Sequence, residues 1–475
     1  MPPIIAAILF ALAITGLFIL DRDPKSQTSK ALWIPVIWVF IICSRPVSMW
    51  LNMTQQADSV DQYANGSPVD AAVWGVLMAA GIIVLARRWP RVKTILRANK
   101  PILFFLAYCA ISVSWSAYSL IAFKRWTKAV GDLVMVLVVL SDRDRSSAIK
   151  RLITRTGFLL IPLSVLFIKY FPELGRRYEY WTFTPEQVGI TIAKNQLGMI
   201  CLLIGLGSLW RLLSAYQDKS RPYMARRREM VAHGAILVMV LWLFRAANSI
   251  TSLACFVLAG GLMIVTSLSR RGRKPAFVHF MIVTVICGSL ATLFLDPAAA
   301  ILEALGRDPT LTGRTAIWGL VLKVAGNPIV GTGYESFWLG DRLQQMRAMK
   351  EYINESHNGY LEVFLNLGWV GVSLLAVVLV NGYRNVLQTF RRNRDTGRLM
   401  LAFFVTVLIY NLTEAAFKEL NPIWFFFLLA ITVVPEPKLR ERHRSEPTAP
   451  MHALFDSAYA TAMPGSRRPV SAFLT

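Results

Sequence analysis

The amino-acid sequence predicts an all-α, polytopic integral membrane protein. Of its 475 residues, 55% are hydrophobic and 17% are charged, whereas about a quarter of a soluble domain is charged. The apolar residues are gathered into runs whose length suits a hydrocarbon layer about 30 Å thick. Lys and Arg concentrate in alternate loops, as the positive-inside rule predicts. The intervals between the runs leave no room for a soluble domain of ordinary size.

The apolar runs predict about 12 to 13 transmembrane helices. The count of twelve stays open because the runs at 31–43 and 129–140 are short. The first run lacks the basic start and cleavage site of a signal peptide, so we expect a retained helix. The runs lie at about 3–20, 31–43, 70–86, 101–114, 129–140, 156–168, 196–213, 230–244, 252–268, 276–295, 359–380, 399–410 and 421–434.

The formal charge of +23 does not indicate a nucleic-acid partner, because that function requires a basic face on a folded reading element. The basic residues instead mark the loops that we predict to be cytoplasmic. The loops between them then face the periplasm of a bacterial inner membrane. The predicted cytoplasmic loops are 87–100, 141–151, 220–229, 270–274 and 384–394.

Four parts follow from this pattern. Residues 1–295 carry transmembrane helices 1–10, 296–358 form a large periplasmic loop, and 359–434 return to the membrane. Residues 435–475 are basic and lack apolar periodicity, which predicts a disordered cytoplasmic tail.

The large loop predicts two helices of its own. The first begins near Thr312, carries an apolar stripe with Ile317 and Leu320, and ends before Pro328. The second, DRLQQMRAMKEYINESHN, leads straight into the next membrane helix. PIVGTGYESFW lies between them, and its lone GxG lacks the strand-turn-helix context of a nucleotide site. We therefore expect a flexible turn beside aromatic packing residues.

The five cysteines fall in or beside apolar runs without CxxC spacing, which predicts neither a disulfide framework nor a zinc site. With no nucleotide loop, the sequence predicts no cofactor. The cysteines are Cys43, Cys109, Cys201, Cys255 and Cys287.

A group of polar residues stands where the large loop enters a helix: Glu355, His357, Asn358, Tyr360 and Glu362. Ionisable residues at membrane depth are costly and usually functional. A histidine there suits general-base catalysis because its ordinary pKa is near neutrality. The alternative is that His357 only caps the helix or lies at the interface. Glu355 remains a second candidate base.

Several cations belong to the predicted outer loops or their edges, where positive charge is otherwise sparse. Arginine can grip phosphate oxygens with two hydrogen bonds. Each cation singly is equally explained as a solvated or headgroup-contacting charge. Together with His357 they predict a pocket for an anionic, membrane-borne substrate. The residues are Arg125, Arg177, Lys194, Arg245 and Arg314.

Three segments, TGRTAIW, NPIVGTGYESF and ESHNGYLEVFLNLGWVGVSLL, resemble the signature region of the O-antigen ligase and polymerase superfamily. GITIAKNQLGMICLL, with Lys194 and Asn195, and SLIAFKRWTKAV, with Arg125, resemble upstream elements. The resemblance spans about 110–435, and NSITSLA at 248–254 is more similar to the exopolysaccharide polymerase branch. Many ligases have an arginine within that element, whereas Arg245 precedes it here.

The resemblance implies glycosyl transfer at the periplasmic face from a sugar chain on undecaprenyl pyrophosphate, without nucleotide sugar, ATP or metal. His357 would deprotonate or orient the acceptor hydroxyl, while Arg314 and Arg125 would hold the pyrophosphate. Electrostatic stabilisation of this kind is commonly the largest catalytic term. Tyr334, Trp338 and Tyr360 would pack against sugars. A chain-length regulator and a flippase are the partners that the resemblance implies.

The leading functional hypothesis is a polymerase of lipid-linked repeat units, and a ligase that moves finished glycan to a lipid or protein acceptor is the near alternative. A lipid-linked glycan transporter or flippase would need charges along a path at mid-membrane. The apolar runs are nearly free of central charges, which disfavours transport. A purely structural membrane scaffold is the remaining alternative.

Overall fold

A computed structural model describes residues 1–23, 27–53, 66–178, 184–269, 274–294, 312–349 and 355–435. Its helical architecture confirms the predicted all-α polytopic membrane fold, and each of the thirteen apolar runs contains a helix within these ranges. Of the predicted tail at 435–475, residues 436–475 lie outside the described residues.

The described part of the chain is built mainly of helices. They are α1 Pro3–Leu20, α2 Trp33–Ile42, α3 Val47–Trp50, α4 Pro68–Arg87, α5 Trp89–Ala98, α6 Lys100–Ser112, α7 Ser119–Leu140, α8 Arg145–Tyr170, α9 Pro172–Gly175, α10 Lys194–Gln217, α11 Tyr223–Ala247, α12 Ile250–Leu268, α13 Pro275–Phe294, α14 Thr312–Lys323, α15 Gly340–Met349, α16 Gly359–Arg392, α17 Arg394–Thr413 and α18 Pro422–Ile431. Short 3₁₀ turns occupy Lys30–Leu32 and Val113–Trp115. Strands β1 Arg176–Tyr178 and β2 Pro185–Gln187 pair antiparallel.

Eight of the described helices are individually long and apolar enough to cross a membrane. The pair α5 and α6 makes a ninth if its two parts, which meet at a bend of 86°, count as one span. Helices α2 and α18 are shorter, with 10 residues each. Helices α7 and α13 are also not among the eight, although each covers a predicted apolar run. The predicted total of 12 to 13 crossings therefore depends on how the short helices, the bent pair and these two helices lie in the bilayer, and it stays a prediction.

Polar contacts join the loops in two groups that match the predicted alternation. At one end Arg211 pairs with Asp21 at 2.6 Å, and Arg88 pairs with Asp142 at 3.5 Å. At the other end the hydroxyl groups of Thr251 and Thr413 are 3.2 Å apart. Loops assigned to the same side thus meet each other, while the assignment of one end to the periplasm stays a prediction.

The large loop contains both helices that we predicted, α14 and α15. The apolar stripe of α14 packs as expected, with Val321 buried against Phe337 and Leu365. The prediction that the second helix runs straight into the membrane is wrong, because residues 355–358 are not helical. The predicted outer loop at 115–128 is also largely helix, since α7 begins at Ser119 and includes Arg125.

Helix α16 is broken at Gly368, which adopts a non-helical φ of 62°. The break frees backbone groups that pair with the PIVGTG turn. The amide groups of Thr332 and Gly333 donate to the carbonyl oxygens of Leu365 and Asn366, at 3.2 and 2.9 Å. The amide of Trp369 donates to the carbonyl of Pro328 at 2.9 Å. The turn predicted to be flexible is therefore tied to α16 by backbone hydrogen bonds.

Alanine at Gly331 or Gly368 should destabilise this pairing. A Cβ at Gly331 would lie 2.4 Å from the Asn366 backbone, and one at Gly368 would lie 2.3 Å from the Ile329 backbone. Both glycines have positive φ, which adds a cost of about 1–2 kcal/mol for alanine. We expect a lower thermal unfolding midpoint in detergent for each variant. Gly261→Ala, where no atom would lie within 4 Å, is the matched control, and an equal drop there would contradict the argument.

Candidate active site

Three segments meet at one end of the bundle: the turn at 334–336, the entrance to α16 at 355–358, and the connection at 414–421 between α17 and α18. Asn358 caps α16, and its Oδ1 accepts hydrogen bonds from the amides of Tyr360 and Leu361, both at 3.0 Å. Such a cap typically contributes about 1 kcal/mol. The side chain predicted to bind substrate is thus occupied in fixing the start of the helix.

His357 lies between two carboxylates. Its Nδ1 is 3.1 Å from Glu355 Oε1 and 3.5 Å from Glu414 Oε2, and its side chain is 33% exposed. Neither carboxylate lies along the direction of a straight Nδ1 hydrogen bond, so the contacts are ion pairs. In the described part of the chain, Nε2 has no hydrogen-bond partner. The ring is therefore held on one edge and open on the other.

The carboxylates of Glu355 and, to a lesser extent, Glu414 raise the pKa of His357 to about 9. At pH 7 about 99% of such a group is protonated. Burial alone would raise the pKa of Glu355, but contacts with His357 and Lys418 outweigh it and lower the pKa to about 2. Glu355 is consequently a weak base, which favours His357 as the proton acceptor of the pair.

Lys418 completes this group, with its Nζ 3.3 Å from Glu355 Oε2. Burial would lower the pKa of Lys418, but the carboxylates of Glu355 and then Glu335 raise it overall. We call Glu355, His357, Glu414 and Lys418 the His357 cluster. Its charges are balanced in pairs, because two cations face two carboxylates.

The donor atoms of Glu355, His357 and Glu414 lie within 4.8 Å of one another. A metal ion would need a neutral imidazole to bind, whereas the raised pKa keeps His357 protonated. Lys418 already supplies positive charge beside Glu355. The donor set therefore suits an ion-pair cluster better than a resident metal.

The sequence reasoning missed Glu414 and Lys418. Both lie in NLTEAAFKELN, the connection between two apolar helices, at positions where charge is otherwise sparse. Ionisable residues so close to the membrane are a functional signal by the same argument that singled out His357. Glu414 is 8% exposed, so its side chain is packed inside the protein and not solvated.

The turn at 334–336 brings Arg125 to the site. The Arg125 guanidinium donates to the backbone carbonyl of Glu335. Burial and, next, the neighbouring carboxylate of Glu419 raise the pKa of Glu335. The hydroxyl of Tyr334 donates to Glu419 Oε2 at 3.3 Å. Two of the motifs that carry the resemblance, around Arg125 and Tyr334, are thus in contact.

A second set of contacts braces the backbone next to His357. Glu362 Oε1 accepts from the amide of Ser356 at 2.6 Å, and both Glu362 oxygens accept from Trp338 Nε1 at 3.0 and 2.9 Å. Trp318 Nε1 donates to the carbonyl of Ser356 at 2.9 Å. Together these hydrogen bonds hold the backbone of Ser356 at the entrance to α16.

The two tyrosines predicted to pack against sugars are used within the protein. Tyr334 is 5% exposed, so neither face of its ring is open. The Tyr360 hydroxyl donates to the carbonyl of Leu408 at 3.1 Å, and its ring meets Phe417 edge to face. Both side chains hold helices and turns together, and the sugar-packing role remains a prediction without support from these contacts.

The remaining predicted cations lie apart from the His357 cluster. Arg177 in β1 donates to the Ile192 carbonyl at 3.5 Å, and Lys194 pairs with Glu186 Oε1 at 2.5 Å. Asn195 follows in the first turn of α10, and Arg245 is exposed in the last turn of α11. No contact in the described ranges joins these residues to the cluster.

Arg314 is the third residue of α14, and its side chain lies outside the described residues. The single pocket that we predicted for all of these cations stays a prediction.

Backbone strain is concentrated at this end of the protein. Among the described residues, five that are not glycine have a positive φ, and three of them are Glu335, His357 and Leu420. A side chain held in this conformation costs of order 1–3 kcal/mol and persists where surrounding contacts enforce it. Such residues cluster at functional sites, and each of the three meeting segments supplies one.

Comparison with known proteins agrees with the resemblance carried by the motifs. Residues 234–376 match the O-antigen ligase family. The chain is 25% identical over 327 residues to the exopolysaccharide production protein ExoQ of Rhizobium meliloti (strain 1021), covering 67% of this chain and 71% of that protein. The matched family region includes Arg314, Tyr334 and His357, while Arg125 and Lys418 lie outside it.

Proposed function

We propose, from the O-antigen ligase family region that this chain carries at 234–376, that the protein is a membrane glycosyltransferase. It joins lipid-linked oligosaccharide repeat units into an exopolysaccharide or O-antigen chain. The observation that carries the proposal is the position of His357, held between Glu355 and Glu414 with its Nε2 edge open. The substrate is a sugar chain on undecaprenyl pyrophosphate, and the site faces the periplasm of the inner membrane.

In the proposed reaction the acceptor hydroxyl oxygen forms a bond to the anomeric carbon of the donor sugar. The bond between that carbon and the pyrophosphate oxygen breaks, and its electron pair leaves with the lipid pyrophosphate. The hydroxyl proton passes to Nε2 of neutral His357, as in general-base catalysis. Arg125 and Arg314 stabilise the charge that develops on the leaving pyrophosphate.

The surroundings of His357 suit this proton transfer. A carboxylate on one edge of an imidazole fixes its orientation and stabilises the imidazolium that forms when the opposite edge takes a proton. Glu355 and Glu414 occupy that place relative to Nδ1. Because the pKa of His357 is about 9, only about 1% is neutral at pH 7. Proton transfer should therefore become faster as the pH rises toward 9.

Polymerase and ligase share this donor chemistry and differ in the acceptor. The similar protein from Rhizobium meliloti is an exopolysaccharide production protein, which favours the polymerase. A transporter remains the competitor from another class, and it would carry the donor across the membrane without changing its length. The three functions therefore predict different glycan products in the cell.

The test is glycan analysis in cells that lack this protein, with and without the wild-type chain restored. A polymerase predicts loss of long chains and accumulation of single lipid-linked units, both reversed by the wild type. Long free polymer with no attached product would show a ligase instead. Single lipid-linked units that are not accessible from the periplasm would show a transporter. Unchanged glycan would overturn the enzymatic proposal.

A further inference from the structure

The connection at 414–421, here called the return segment, delivers both Glu414 and Lys418 to the His357 cluster. Its first residue is fixed where the amide of Gly359 donates to the Glu414 carbonyl at 3.0 Å. Near its middle, the amide of Ala416 donates to Asn411 Oδ1 at 2.9 Å. Lys418 lies beyond both anchors, so its position depends on how the last part of the segment is held.

The last part is held by Asp132, a carboxylate on α7 that the sequence reasoning overlooked. Asp132 is 0% exposed. Its Oδ1 accepts from Trp38 Nε1 at 2.8 Å, and its Oδ2 accepts from the backbone amide of Leu420 at 2.9 Å. Each oxygen therefore has a donor, and a membrane helix reaches directly to the backbone of the return segment.

Leu420 needs such a partner because its φ is 54°. A leucine in this conformation costs roughly 1–2 kcal/mol. A hydrogen bond typically contributes about 0.5–1.5 kcal/mol to stability, which is of the same order as that cost. The strained turn at Leu420 reverses the chain just before Asn421, which caps α18 through the amide of Ile423 at 2.9 Å.

We propose that Asp132 is a positioning residue that holds Leu420 in its strained conformation and thereby places Lys418 beside Glu355. The consequence of this placement for catalysis rests on the proposed function, but the geometric claim does not. The charged groups that face this region from neighbouring elements are Glu419 on the return segment and Lys128, one turn earlier on α7. Asp132 touches neither His357 nor the open Nε2 edge, so it acts through the return segment.

The first variant is Asp132→Asn, which keeps the shape but leaves only one acceptor oxygen for two donors. Either Trp38 Nε1 or the Leu420 amide then faces an NH₂ group. A buried polar group left without its partner costs about 1–3 kcal/mol. We expect the return segment to loosen and Lys418 to move away from Glu355. Trp38→Phe added to Asp132→Asn removes the competing donor, so the asparagine oxygen can accept from Leu420 again.

The readout is the titration midpoint of His357 in the purified full-length protein, followed by NMR of labelled histidine. Loss of the Lys418 cation from beside Glu355 should raise the midpoint by about 0.5 to 1 unit. Lys418→Met should give the same shift, and combining it with Asp132→Asn should add nothing further. The Trp38→Phe/Asp132→Asn protein should return to the midpoint of Trp38→Phe alone.

The matched control is Asp142→Asn. Asp142 is 3% exposed and also accepts from a backbone amide, that of Ser29 at 3.2 Å, but it lies in the other group of loops. Its variant should leave the His357 midpoint unchanged. If Asp132→Asn does not fold, Leu420→Pro is the second variant, because proline lacks the amide hydrogen that Asp132 accepts and cannot adopt a positive φ.

A folded Asp132→Asn or Leu420→Pro protein with the wild-type midpoint overturns the proposal. If Asp132 only stabilised the fold, the variant molecules that remain folded would have the wild-type His357 midpoint. Failure of the proposed function is distinguishable, since wild-type protein would then transfer no glycan from a lipid-pyrophosphate donor. The histidine titration would still decide the role of Asp132 in that case.

Discussion

Cells that carry His357→Asn should produce the protein at the wild-type level and transfer glycan about 10²–10⁴ times more slowly. That range is typical for removal of a general base. Asparagine is the appropriate replacement because His357 has a φ of 52°, and asparagine accepts this conformation better than alanine does. The variant therefore removes the imidazole while leaving the entrance to α16 in place. The measurement is polymer formed per unit of protein in membranes supplied with lipid-linked repeat units.

A second histidine provides the control for this prediction. His279 on α13 contacts the hydroxyl of Tyr383, far along the chain from the return segment and the entrance to α16. His279→Gln should retain activity within a few-fold of wild type. Equal activity of wild type and His357→Asn, at matched protein levels, would remove His357 from the mechanism and leave its role structural.

Glu355→Gln should shift the pH dependence of transfer downward by up to about two pH units. Contact with Glu355 is the largest cause of the raised pKa of His357, about 9, and Glu414 is the next. Without the Glu355 charge, the pKa should fall toward its ordinary value of about 6.5. If neutral His357 is the active form, the wild-type rate rises with pH through about 9. The variant should reach its plateau at lower pH, with a weaker base and a lower plateau rate.

The direction of the pH profile also tests the role of the proton. A rate that falls as the pH rises through 9 would show that the imidazolium, and not the neutral ring, is the active form. Glu186→Gln is the matched control. Glu186 lies in β2 and pairs with Lys194 at the start of α10, and in the described residues it has no contact with His357. An unchanged pH midpoint in Glu355→Gln would contradict the assigned cause of the raised pKa.

The helical architecture was predictable because a bilayer imposes a simple rule on the sequence. Each apolar run must satisfy its own backbone hydrogen bonds, and a helix does so within one segment. The predictions failed where polar residues continue a helix beyond its apolar part. Helix α7 extends from Ser119 to Leu140 although only its second half is strongly apolar, and Arg125 is therefore on a helix and not in a loop.

The candidate site was predictable only in part. His357 and Glu355 stand two residues apart, so the sequence shows them together. The packing of α17 and α18 brings Glu414 and Lys418 close to these two residues. The local sequence does not indicate that they meet. Asp132 was hidden by its apolar neighbours, since the ten consecutive residues from Gly131 to Leu140 are all buried within one helix. Tertiary contacts, and not local propensity, decide which ionisable groups meet.

The turn that contains Gly331 and Gly333 shows a different limit. Its glycines suggested freedom of movement, whereas Gly331 allows the turn to approach α16 closely enough for backbone pairing. Glycine serves close approach as readily as it serves flexibility. Composition cannot separate these two uses, because the difference lies in the partner and not in the turn itself.

The break of α16 at Gly368 is bridged by the turn at 328–333. This turn pairs with Leu365 and Asn366 before the break and with Trp369 and Val370 after it. The two parts of the helix are therefore joined through the turn as well as through Gly368. We expect a tilt of the long remainder, such as a change of bilayer thickness would impose, to move the turn and the entrance to α16 together.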